Sequence, residues 1–158
     1  ALTDAARAFG ANVLINNAGI GGFGLLETQD RATVDAILAT NLAAPMHLTQ
    51  ALLPLLREQP AAAIVNIGST FGSIPFAGFA AYSAAKAGLR AFSQALRREQ
   101  ADSPLRVLHI APRAIDVDID CHCPPPPRSA SLACATFSTP PDREGTMISL
   151  FGVFSFTR

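Results

Sequence analysis

Three short apolar runs punctuate the chain, and stretches of helical periodicity lie between them. Val13 to Asn17 is a continuous apolar run ending in amides, the pattern of a strand buried on both faces rather than one with a wet side. Ala62 to Ile67, set off by Pro60, reads as a second buried strand. Leu105 to Ile110, bounded by Pro104 and Pro112, reads as a third. Residues 2 to 9 are helix-like, with Gly10 as a stop. Ala18 to Gly24 holds four glycines and reads as a loop. Thr28 or Asp30 can cap a long helical region that runs to about Glu58. Its apolar positions Val34, Ile37, Leu38, Leu42, Leu48, Leu52, Leu53 and Leu56 recur at helical spacing. Pro45 and Pro54 inside it predict kinks or a break into two helices. Ser69 to Ala80 is a Gly-, Ser-, Pro- and Phe-rich loop, and a second long helix is predicted from about Ala81 to Glu99. Strands alternating with helices imply right-handed crossovers and a parallel α/β sheet.

The character changes after about Ile115. Residues 116–158 hold six of the twelve prolines and all three cysteines. The expected division is therefore a folded domain over 1–115 and an irregular, disordered or frameshifted tail over 116–158. Cys121-His122-Cys123 invites a metal reading. A tetrahedral zinc site needs four ligands at workable spacing, and four prolines follow at once, so no metal is assigned. An odd cysteine count gives no disulfide framework either, and a cytoplasmic setting is expected.

The candidate chemistry lies in the middle of the chain. The only tyrosine, Tyr82, stands four residues before Lys86, the only lysine. On a helix those positions share a face. The ammonium would favour phenolate and push the Tyr82 pKa below its reference of about 10, giving an acid/base usable near neutral pH. Ser69 lies thirteen residues upstream of Tyr82, at the end of the second apolar run. Asn41 stands in Thr40-Asn41-Leu42, and Asn16-Asn17-Ala18-Gly19 closes the first run. Ser69 and Ser73 are both candidates to close a turn, and the spacing to Tyr82 favours Ser69. Phe71, Ile74, Phe76 and Phe79 are candidates to line a substrate pocket or simply to pack on the core. His47 and His109 lie in apolar surroundings and read as structural, and Asn66 as a partner of backbone.

Taken in order and spacing, Asn16-Asn17-Ala18-Gly19, Asn41, Ser69, Tyr82 and Lys86 resemble the short-chain dehydrogenase/reductase family, over about residues 5 to 115. The resemblance implies a partial Rossmann-like doubly wound parallel sheet, covering the region of the family's strands 4 to 6. It implies hydride transfer between NAD or NADP and a small alcohol or carbonyl substrate. Tyr82 would be the catalytic acid/base. Lys86 would lower its pKa and hold the nicotinamide ribose. Ser69 would hold the substrate carbonyl, and Asn41 would position a proton-relay water. Asn16, Ala18 and Gly19 would border the cofactor and steady the sheet, with Pro112 on the loop after the next strand. Family members commonly pair the two long helices into a homo-oligomer.

The departures matter equally. A glycine-rich turn that receives the cofactor pyrophosphate at a helix N-terminus is not found in the chain. Gly19-Ile20-Gly21-Gly22 cannot replace it, because it follows the asparagine motif. The residue that would choose NAD or NADP is not recognisable, nor are the Thr-bearing loop and substrate lid expected after residue 115. The expectation is an incomplete, inactive fragment whose first strand has an open edge. A non-catalytic remnant or interaction module is an alternative, as is an epimerase or dehydratase using the same Tyr and Lys. Formal net charge is zero, which suggests no nucleic-acid or membrane partner.

Overall fold

A computed structural model describes residues 2–112 and a short strand at Gly152–Phe154. The expectations for the tail, its cysteines and Arg113 to Ile115 lie outside these residues. α1 (Leu2–Phe9) ends at Gly10, whose φ of 69° is left-handed and costs glycine little. The amides of Gly10 and Ala11 close the helix end on the carbonyls of Arg7 and Ala6. β1 (Val13–Asn16), β2 (Ala62–Ile67) and β3 (Leu105–Ile110) fall where the apolar runs predict. They are parallel, with Leu14, Ile64 and Val107 in one row across the sheet.

The long helical region is α2 (Arg31–Leu38), a π-type segment at Ala39–Ala43, and α3 (Ala44–Arg57). Asp30 occupies the N-cap position without a side-chain capping bond. The irregularity falls before the prolines rather than at them. Pro45 sits at the second position of α3, directly after the π-type segment, and its ring nitrogen supplies no N–H to the carbonyls of the preceding turn. α3 then runs through Pro54 to Arg57. α4 (Ala80–Glu99) follows the Phe-rich loop. No described helix is long and apolar enough to cross a membrane.

Two expectations need correction. The first concerns the edge of β1. Gly152–Phe154 forms β4 and pairs antiparallel with Val13 to Ile15, so the order is β3-β2-β1-β4. The edge expected to stand open is covered by a strand from the chain's own end, and the sheet is mixed rather than wholly parallel. The second concerns burial. Among the described residues the helices cover one face. Ala6, Leu52, Leu55, Leu56 and Leu96 pack there with Leu14, Ala62, Ile64, Leu105 and Val107. On the other face Val13, Ile15, Val65 and Ile67 are only partly buried, and Leu108 and Ile110 are exposed.

Candidate active site

α4 begins at Ala80, two residues before Tyr82. Tyr82 and Lys86 lie on the same side of it, and Lys86 is buried. Ser69 leaves the end of β2 and caps a 3₁₀ turn at Thr70–Gly72, its hydroxyl accepting from the Phe71 amide at 3.2 Å. That turn presses on α4. A Cβ at Gly72 would come within 2.7 Å of the Lys86 carbonyl carbon, so only glycine permits the approach. The result brings the Ser69 side chain close enough to the Tyr82 phenol to pull its pKa down. Ser73, the other candidate, instead accepts from Arg90 at 3.2 Å on the exposed side.

The electrostatics differ from the sequence expectation. Burial pushes the Tyr82 phenol above its ordinary pKa, and the Ser69 hydrogen bond only partly offsets this. The expected depression by Lys86 is therefore corrected to a rise. The physical reason is burial of the phenol itself, which the lysine does not counter. The Lys86 Nζ donates to the Ile67 carbonyl at 2.9 Å and stands 5.7 Å from the centre of the Tyr82 ring. Burial pulls the Lys86 pKa down from 10.5 to about 8. A desolvated ammonium bonded to a strand carbonyl does little for a phenol that is itself losing water. Tyr82 is thus a neutral phenol at physiological pH.

Asn41 is fully buried in the π-type segment. Its Oδ1 accepts from the Ile20 amide at 3.0 Å, and its Nδ2 donates to the Ile20 carbonyl at 2.7 Å. This double bond holds the loop after β1 against the site. A Cβ on Gly19 would lie 3.0 Å from Asn41 Oδ1 and 3.5 Å from Lys86 Nζ. Gly19, Asn41 and Lys86 therefore converge. Asn16 and Ala18 are buried, and Asn16 turns inward to bond Asn66 at 2.7 Å and Thr49 at 3.3 Å. Its Nδ2 joins β1 to β2 and α3, while its Oδ1 is buried without a partner among the described residues. Pro112 lies beside the Ser69 turn, its carbonyl accepting from the Thr70 amide at 3.2 Å.

An aromatic wall flanks the phenol. Phe71 and Phe79 meet the Tyr82 ring edge-on, with centroids 6.3 and 6.1 Å away. Phe76 stacks on Phe71 at 5.4 Å, and Phe23 packs on Phe79 at 5.2 Å. Phe23 was not singled out from sequence. Its signal is Gly78, where φ is +83° and a Cβ would strike the Phe23 ring. The Gly24 amide also donates to the Gly78 carbonyl at 2.9 Å, tying the two loops together. His109 packs against Gly68. Burial, then Arg90, Lys86 and Arg97, hold its pKa below the ordinary value.

The sequence model of the short chain dehydrogenase family matches residues 2–124. The chain belongs to this family. Nodulation protein G of Azospirillum brasilense is 36% identical over 145 residues, covering 92% of this chain and 57% of that protein. The 3-oxoacyl-[acyl-carrier-protein] reductase of Vibrio cholerae is 35% identical over 124 residues, covering 78% of this chain and 51% of that one. The closed form of a serine dehydrogenase complexed with NADP+ superposes with a TM-score of 0.62 at 36% identity, covering 65% of this chain and 42% of that chain. The chain thus spans about half the length of the curated relatives it matches. The family match reaches past residue 115, where the resemblance read from motifs stops.

Proposed function

We propose that these residues are the catalytic half of an oxidoreductase that moves a hydride between NAD or NADP and an alcohol or carbonyl compound. The observation that carries this is the convergence of Tyr82, Ser69 and Lys86, with the phenol held neutral. In the direction of reduction, the Ser69 hydroxyl holds the substrate carbonyl oxygen and Tyr82 donates its proton to that oxygen. When bound, the nicotinamide supplies the hydride to the carbonyl carbon. Lys86 has three N–H donors and directs one to Ile67, so others can reach a ribose hydroxyl. Gly19, free of a Cβ between Asn41 and Lys86, lets a cofactor approach closely, and Pro112 borders the same end. Asn16, the last residue of β1, and Ala18, in the loop beyond it, border that end. Asn41 holds the Gly19 loop in place and steadies the proton-relay water.

The residues present fit the nicotinamide and ribose end. They do not fit the pyrophosphate end, since no glycine-rich strand-to-helix turn occurs in the sequence. The reading therefore includes that the 158-residue chain alone neither binds a dinucleotide nor turns over. The aromatic wall supports a substrate with an apolar group beside its carbonyl. Ala84, Ala91 and Ala95 are exposed along α4, small enough for close helix pairing in a homo-oligomer. A cytoplasmic location belongs to this reading and rests on the sequence alone. Tyr82→Phe in the full-length enzyme is the test. Turnover should fall about a hundredfold or more with cofactor affinity nearly intact, and a variant keeping most of its kcat would remove Tyr82 from the catalytic role.

A further inference from the structure

A chain of buried polar side chains runs beneath the site, and its members Asn66 and Ser93 take no part in the proposed chemistry. Asn16 Nδ2 donates to Asn66 Oδ1 at 2.7 Å, Asn66 Nδ2 donates to Ser93 Oγ at 2.8 Å, and Ser93 Oγ donates to the Leu89 carbonyl at 2.7 Å. All three side chains are buried to within 1% of complete. Apolar residues would fill the same space without the desolvation cost of three polar groups. Their placement shows what that cost secures. Ser93 is seven residues from Lys86 and eleven from Tyr82. Those intervals are close to two and three helical turns, so all three share one side of α4. Asn66 stands three residues before Ser69, and the Lys86 bond falls on Ile67, its neighbour.

We propose that Ser93, acting through Asn66, is a positioning residue that sets the rotation of the helix carrying Tyr82 and Lys86 against the strand carrying Ser69. Ser93 is itself fixed, because its proton is committed to Leu89 and only its lone pairs are left for Asn66. A helix packed by apolar contacts alone slides or rolls at little cost. A buried amide-to-hydroxyl bond allows one register and penalises the others. Its consequence for turnover rests on Tyr82 being the acid/base, but its geometry does not.

The chain has one tyrosine and no tryptophan, so tyrosinate absorbance reports Tyr82 alone. Ser93→Ala in the 158-residue chain should raise the Tyr82 pKa by about half a unit to one unit, as the Ser69 hydrogen bond is loosened. Ser93→Thr, which keeps the hydroxyl, should restore it. Leu52→Ala, which hollows the same core without touching a polar group, should lower stability and leave the titration unchanged. If Ser93→Ala fails to fold, Ser93→Cys, a weaker acceptor, should give a smaller shift in the same direction. Where alkali unfolds the protein first, the Cζ resonance of labelled Tyr82 at neutral pH reads the same hydrogen bond. A folded Ser93 variant with the wild-type titration or resonance would overturn the proposal, as would equal shifts from Leu52→Ala. Either result leaves the Tyr82→Phe test of the proposed function standing by itself.

Discussion

The two faces of the sheet are built from the same three parallel strands and have opposite fates. On the helix side Leu14, Ile64 and Val107 are 5% exposed or less, and the catalytic candidates rise from that packed face. On the other, Leu108 and Ile110 are 43% and 47% exposed. The helix side carries its own polar row: Asn16 donates to Asn66, Asn66 donates to Ser93, and Lys86 finds Ile67, although Asn16 Oδ1 is buried without a partner among the described residues. Among the described residues, the candidate cluster assembles beside the covered face. A strand with apolar residues on both sides can thus hold a site in register while half of its burial energy is unclaimed by the described residues.

The largest effect should come from charging the two faces in turn. Ile64→Asp places a carboxylate where nothing can solvate it, a loss on the order of 4 kcal/mol or more. The 158-residue chain should then lose its cooperative thermal transition. Leu108→Asp should stay within about 0.5 kcal/mol. Equal damage from both would show that the second face is covered after all.

Breaking the cover of β1 comes next. Val153 pairs with Leu14 in the β4 ladder, and Val153→Pro removes a donor there. The exposed β1 edge should then template association, seen as a falling monomer fraction in light scattering. A variant that stays monomeric at micromolar concentration would show that β4 does not protect the edge.

A smaller and pH-dependent effect is expected at Lys86. Its folded pKa, about 8, lies below the unfolded value of 10.5. Between these values the unfolded state binds more protons, so wild-type stability rises with pH across that window. Carrying the ammonium at pH 7 costs roughly 3 kcal/mol, and Lys86→Met should recover part of it, less about 1 kcal/mol for the lost bond to Ile67. Denaturant midpoints should therefore favour the variant at pH 7 and converge with wild type towards pH 10. Above pH 10 the raised Tyr82 acts oppositely, since its buried neutral form loses stability as pH climbs. A variant less stable than wild type at pH 7 would mean the ammonium is better solvated than its burial implies.

Much of the fold was readable because period and punctuation agreed. Ala62 to Ile67 and Leu105 to Ile110 match the observed strands at both ends, and α4 begins one residue earlier than expected. The candidate site was readable as a set of spacings. What escaped depended on tertiary surroundings. The π-type segment falls at Asn41, whose buried amide pairs with Ile20 across the fold, in the turn just before Pro45. Asn66 bonds Asn16 and Ser93 rather than backbone, since the polar row across the sheet exists only in register. The sign of the Tyr82 shift turned on burial, which the Tyr-to-Lys spacing does not encode. The pairing of β4 with β1 joins residues more than 130 apart in sequence, beyond the reach of any local pattern.

The assembled cluster is tested most directly by titrating Tyr82 in the 158-residue chain, with and without Ser69→Ala. The account predicts a wild-type pKa above the ordinary value of about 10, moved higher still when the Ser69 hydroxyl is removed. A phenol that titrates at or below 10 and ignores Ser69→Ala would contradict it, because Tyr82 would then be neither buried in the site nor held by its partner.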